Sequence, residues 1–284
     1  MDTPSSSSET IIMAALSSLS PSVLFHLTHH LTAIFRYHNR RVSALLSSPT
    51  LFSLTLHHLH TLSLHQKSLL ISRHLLSNLS LLACHAQQQH PRLLLPPPRS
   101  ATSINLRDID AVLLLLLLCE LHQSDGEALD APPSRWREAL CRHATKSALR
   151  LSKMGASTVE VIVEYVEVVV KCMNFVNAMG WNGGGGGDDS GKEGRDVAAS
   201  VAAVVALPSV EVRERGRECV ICKEEMREGR DVCELPCQHL FHWICILPWL
   251  DKKNTCPCCR FKLPSDDVSG EIQRLWEIFA KMSS

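Results

Sequence analysis

The chain has 284 residues, 45% of them hydrophobic, with 29 acidic and 29 basic side chains. That length supports one large or two modest domains with real cores. The neutral balance, with 12 basic and 13 acidic residues over the last 74, gives no reason to expect nucleic-acid binding at the C-terminal end. Its distribution is uneven, however. From residue 10 to residue 107 there is no Asp or Glu, while Arg36, Arg40, Arg41, Lys67, Arg73, Arg92, Arg99 and Arg107 are basic.

Residues 10–180 read as a mainly α region. Leucines at 51, 54, 62, 69 and 76 recur at intervals that helices gather on one face. Pro96-Pro97-Pro98 and Pro132-Pro133 punctuate the pattern, and Ser134 is a candidate helix N-cap with Glu138 close behind. The greasiest run, Ala111 to Cys119, is nine residues between Asp110 and Glu120. A membrane span needs about 20, so a buried core helix is expected and no transmembrane segment. His57, His58 and His60 lack a nearby Cys or carboxylate and read as a neutral helical surface, not a metal site.

Val159 to Val176 is valine-rich, which favours a strand. Its charges favour a helix: Glu160, Glu164, Glu167 and Lys171 are spaced four, three and four, one polar stripe. Residues 181–207 then form a Gly-rich linker and lead-in, with five consecutive glycines that have no side chains to bury. A compact module is expected over 215–264. An amphipathic helix follows over 268–281, with Ile272, Leu275, Trp276 and Phe279 on one face.

Eight of the twelve cysteines crowd into residues 219–259 with two histidines. Met1-Asp2 and the Ser run that follows do not read as a secretion signal, so the cluster points to metal in a reducing compartment instead of disulfides. The candidate ligands are Cys219, Cys222, Cys237, His239, His242, Cys245, Cys256 and Cys259. Two-residue gaps let both thiolates of a knuckle reach one ion, and eight soft or borderline donors make two tetrahedral sets of the kind structural zinc prefers. Cys233 and Cys258 are surplus: Cys237 fits the compact Cys-x-His run, and Cys259 keeps the gap from Cys256. From the residues alone, the pairs could share metals sequentially or alternately.

This ordered pattern resembles the RING finger family, of the subtype with His at the fourth and fifth ligand positions. The plant homeodomain finger fits less well. It usually has Cys fourth and Trp two residues before its seventh ligand, where this chain has His239 and Asn254. The resemblance implies a small zinc-stabilised α+β cross-brace holding two structural zinc ions. Cys219, Cys222, His242 and Cys245 would share one, and Cys237, His239, Cys256 and Cys259 the other. It implies a ubiquitin-protein ligase that does no covalent chemistry itself. Such a ligase holds a ubiquitin-charged conjugating enzyme beside a substrate lysine, where proximity and orientation accelerate transfer. Ile221, Trp249 and Pro257 match the family's docking surface, and Arg260 matches the cation that bridges ubiquitin and the conjugating enzyme. Phe241 and Trp243 read as core or zinc-shielding residues.

The segment SSPTLFSLTLHHLHTLSLHQKSLLISRHLL also resembles the N-terminal part of plant amyloplast-associated RING ligases. That implies a protein acting at the plastid, held at its cytosolic face by a partner there, with the helical region recruiting an unidentified protein substrate. The Ser-rich, acid-free start has transit-peptide composition, but its core-like leucines extend too far. The alternatives are a cytoplasmic location and a RING scaffold without catalysis.

Overall fold

The computed structural model describes residues 4–88, 94–151, 158–179, 197–212, 216–226 and 232–282. The chain divides into two compact units, one of residues 1–75 with 104–180, the other of residues 76–103 with 181–284.

The helices are α1 (Pro4–Ser17), α2 (Pro21–Ser47), α3 (Pro49–Thr61), α4 (Leu64–Ala86), α5 (Arg99–Thr102), α6 (Leu106–Ser124), α7 (Pro133–Leu151), α8 (Thr158–Ala178), α9 (Val201–Val205), α10 (Trp243–Leu250) and α11 (Val268–Met282). Local chemistry sets where they start. α2 and α3 each begin at a Ser-Pro pair: Ser20 and Ser48 accept the backbone N–H of Val23 and Leu51, and Pro21 and Pro49 occupy the position where a missing N–H costs nothing. α4 opens on a capping box. Ser63 N–H donates to Gln66 Oε1 at 2.8 Å, and Gln66 N–H donates to Ser63 Oγ at 3.2 Å. α7 starts at Pro133, just ahead of the expected cap at Ser134, with Arg135 N–H donating to the Pro132 carbonyl at 2.8 Å. Proline's fixed φ suits the first helical position better than serine's cap does there.

In the first unit α2 packs against α3, α6, α7 and α8, and α8 also packs against α1. Leu27, Leu31, Leu45, Ile71, Leu75 and Tyr165 are fully buried. The valine-rich segment is helical: Val161, Tyr165, Val166, Val169 and Cys172 face inward, and Lys171 reaches Glu120 at 2.7 Å and Glu167 at 3.9 Å. Asp110, just before the apolar run of α6, is buried and takes a two-pronged bond from Arg41, at 2.9 Å from Nε and 2.6 Å from Nη2. No helix among the described residues is long and apolar enough to cross a membrane.

The second unit holds a three-stranded antiparallel sheet, β1 (Ser209–Val210), β2 (Val232–Glu234) and β3 (Leu240–His242), in that order. α10 follows β3 directly and packs on β2 and β3. Of the expected linker, residues 181–196 lie outside the described residues, but 197–207 are bound to the module. Asn254 N–H donates to Val197 O at 2.7 Å, Ala199 N–H to Leu250 O at 2.8 Å, and Ser200 N–H to Pro264 O at 2.8 Å. Leu207 and Val212 join the core formed by Val232, Phe241, Ile246, Leu250 and Leu263.

α11 buries Ile272, Leu275 and Phe279, with Trp276 half-buried. Its inner face also carries Glu271 and Arg274, both buried and bonded to each other at 2.7 Å. Glu271 accepts the Ser265 N–H at 2.9 Å, and Arg274 Nη2 donates to the Leu95 carbonyl at 2.8 Å. A buried pair needs such extra bonds, because its mutual attraction alone does not offset its dehydration.

Candidate metal centres and their surface

Two loops have the same local geometry. In the first, Lys223 N–H donates to Cys219 O at 2.7 Å and Cys219 N–H to Glu224 O at 2.9 Å; in the second, Arg260 N–H donates to Cys256 O and Cys256 N–H to Phe261 O, both at 2.9 Å. Bridges between Glu218 and Glu225 and between Thr255 and Lys262 close the two loops. Each turn continues through a residue in the left-handed region, Lys223 at φ 64° and Arg260 at φ 59°. Such a tight turn leaves two thiols projecting on one side.

The ligand atoms of Cys219, Cys222, His242 and Cys245 lie within 4.8 Å of one another, as do those of Cys237, His239, Cys256 and Cys259. Each group takes one knuckle and one half of the central Cys-x-His-x-x-His-x-x-Cys run, so the sharing alternates along the chain. His242 Nδ1 lies 3.3 Å from Cys222 Sγ and 4.0 Å from Cys245 Sγ, and His239 Nδ1 lies 3.4 Å from Cys237 Sγ. Donors placed around one zinc at about 2.0–2.3 Å are separated by roughly 3.5 Å, so both sets fit that ion.

The electrostatics point the same way. Burial and the Cys222 and Cys219 sulfurs push the Cys245 thiol up to about 12. Burial and the sulfurs of Cys259 and Cys256 push Cys237 up to about 12. At Cys219 burial raises the value, but backbone N–H groups of Cys222, His242 and Ile221 outweigh it and lower the thiol overall. Several thiolates at this spacing repel unless a cation lies among them, and a divalent ion supplies that charge. Of the surplus cysteines, Cys233 is buried in the core, its thiol pushed up to about 12 by burial and then by Glu234, and Cys258 is exposed on the second knuckle.

α10 links the two loops. Its start carries Cys245, which shares a metal set with the first knuckle. Near its end the Trp249 indole N–H donates to Thr255 O at 2.7 Å, immediately before the second knuckle, and the ring lies against the core with Lys253 Nζ 5.5 Å from its centre. Ile221 is exposed on the first knuckle, Pro257 half-buried and Arg260 exposed on the second. The structure adds three exposed apolar residues that the sequence reading did not single out: Val220 beside Ile221, and Ile244 and Leu247 on α10. Ile244 could have been noticed between two ligands, where a core role is hard to satisfy. Trp243 is half-buried, donating to Ser209 Oγ at 2.8 Å, and Phe241 is fully buried in the core.

The Ring finger domain family model matches residues 217–260. The chain is 52% identical over 281 residues to the E3 ubiquitin-protein ligase SGR9, amyloplastic, of Arabidopsis thaliana, covering 96% of each. The chain belongs to the RING-type E3 ubiquitin-protein ligases. A shorter similarity, 47% identity over 77 residues, relates 26% of the chain to 49% of the E3 ubiquitin-protein ligase RNF181 of Danio rerio. An Arabidopsis thaliana E3 ubiquitin-protein ligase RING1-like protein is 46% identical over 78 residues, 26% of this chain and 24% of its own length. These two matches take in about a quarter of the chain, whereas the first relative aligns along 96% of it. Each RING site offers four protein donors, a closed set, so the ions it holds are structural and leave no position for a reacting water.

Proposed function

We propose that this chain holds two zinc ions in the alternating groups described and uses the surface built on them to dock a ubiquitin-charged conjugating enzyme. The observation that carries this reading is α10 tied at one end to the first knuckle's metal set and at the other to the second knuckle. Ile221, Trp249 and Pro257 then supply an apolar contact with an aromatic anchor. Leu247 extends it. Arg260, exposed and fixed in a left-handed turn, presents a guanidinium with several donors to ubiquitin and the enzyme together. Transfer is accelerated because the thioester is held in few orientations beside its acceptor.

Purified full-length chain with activating enzyme, a compatible conjugating enzyme, ubiquitin and ATP is expected to modify itself. Trp249→Ala should lower the rate at least about fivefold, the effect of losing an anchor worth more than about 1 kcal/mol. Arg260→Asn, which tolerates the left-handed backbone, should do the same. Both should retain two zinc ions by elemental analysis. Unchanged rates would remove the docking assignment. Inactivity with every conjugating enzyme tried would leave a scaffold.

The helical region recruits the protein substrate and places the ligase on the plastid, a location supported by the amyloplastic relative that aligns along almost the whole chain. The cytosolic face is where the ubiquitin system resides. A fluorescent fusion of the full chain should co-purify with intact plastids and be removed by added protease; protection from the protease would place it inside.

A further inference from the structure

We propose that the outward face of α2 is a docking surface for a membrane leaflet bearing anionic headgroups. The inference deepens the plastid reading above and rests on it. At about 100° per residue, Phe25, His26, His29, Arg36, Tyr37 and Arg40 fall within one arc of roughly 120°, and all six are exposed. Val23, Leu27, Leu31 and Phe35 occupy the opposite side and are buried in the first unit. The helix is therefore anchored by one face and free on the other.

Three features of the free face select its partner. Phe25 is 64% exposed and Tyr37 42% exposed, and they are the only exposed aromatic side chains among the described residues. Every other described Phe, Tyr or Trp is buried or half-buried. The cations between them are uncompensated: Arg36 and Arg40 have no ion pair among the described residues, whereas Arg41, turned inward, is held by Asp110. Finally, α2, α3 and α4 contain no carboxylate at all. Aromatic rings beside cations, without acids, match the boundary between headgroups and acyl chains, where the rings enter and the guanidinium groups meet phosphate. Nucleic acid fits less well, since two arginines neutralise few phosphates and an exposed Phe finds no unpaired base in a duplex. With no described helix able to span a bilayer, attachment of this kind is peripheral and reversible.

The test uses purified full-length chain sedimented with vesicles of phosphatidylcholine alone, or mixed in equal parts with phosphatidylglycerol. Pelleting is expected with the mixed vesicles only, weakening as salt rises. Arg36→Ala with Arg40→Ala should reduce it roughly thirty-fold, the effect of two surface cations, and Phe25→Ala with Tyr37→Ala should also reduce it. All four substitutions are at exposed positions, so the melting temperature and self-ubiquitination in solution should stay at wild-type values. Failure to pellet with mixed vesicles, or equal pelleting of wild type and variants, would overturn the proposal. So would tighter binding to a duplex oligonucleotide than to the vesicles. A wild-type fluorescent fusion absent from plastids would defeat the plastid reading by itself, since the vesicle measurement does not depend on it.

Discussion

His74 is a buried imidazole on α4 whose ring centre lies 5.5 Å from that of His38 on α2. Burial, and then the neighbouring His38, lower its value to about 3, and burial lowers His38 too. Both therefore favour the neutral form in the folded chain. Their stabilising contribution is complete above the unfolded value of about 6.5 and is lost progressively as pH falls below it. Between pH 7 and pH 5 His74 alone should cost about 2 kcal/mol of stability. Urea denaturation of wild type and His74→Leu at both pH values checks this: the variant should show a shallower loss on acidification, and parallel losses would refute the assignment. The residue also shows what sequence reading could not reach. The Cys and His side chains that the structure gathers into two groups were legible because a metal set demands short, countable gaps, as in Cys219-x-x-Cys222. Burial of one histidine among fifteen depends on which helices meet. His57 and His60 are exposed as expected, while His58 lies 3.4 Å from Asp108, fifty residues along the chain.

The elements of the second unit depend on polar bonds as well as apolar burial. On α11 the Glu271–Arg274 pair is buried and bonded to Ser265 N–H and the Leu95 carbonyl, joining the terminal helix to the segment after α4. Removing one partner strands the other charge without water. Arg274→Ala is therefore expected to destabilise by about 3–5 kcal/mol, and Glu271→Leu with Arg274→Met by clearly less. Thermal melts of the two variants decide the matter; equal losses would show that packing, not stranded charge, sets the cost. The apolar half of α11 was legible from its period, and α8 from its charged stripe. The burial of Glu271 and Arg274 was not, because nothing local distinguishes them from the exposed Gln273 and half-buried Glu277 beside them. Strands of two or three residues, such as β1 and β2, are too short to show an alternating pattern. The lead-in at 197–207 looked like linker because its bonds to the module run through backbone groups, Ala199 N–H and Ser200 N–H among them, which no side chain announces.

At the scale of the whole molecule, the two units are held together by different means. The first has a leucine-rich core of long helices and, among the described residues, no Cys/His group able to hold a metal. The second spreads a small core over a sheet of two- and three-residue strands and relies on two metal sets whose donors come from distant parts of the RING. Interleaving makes the sites cooperative: losing either ion frees one knuckle and one half of the central run. Structural zinc contributes roughly 10–16 kcal/mol of apparent binding energy in small modules, more than a core of this size supplies. Treatment with 1,10-phenanthroline should therefore unfold the RING while the first unit stays helical. The expected record is a red shift from Trp243 and Trp249, which lie against the RING core, with most of the far-ultraviolet helical signal retained. The retained signal should then melt at higher temperature in a separate transition. Restoring zinc under reducing conditions should recover both fluorescence and self-ubiquitination, since none of the twelve cysteines is in a disulfide. Collapse of the whole helical signal on chelation would show instead that the first unit cannot stand without the metal-bound one. Retention of the RING fluorescence with the metal gone would remove zinc as the source of its stability.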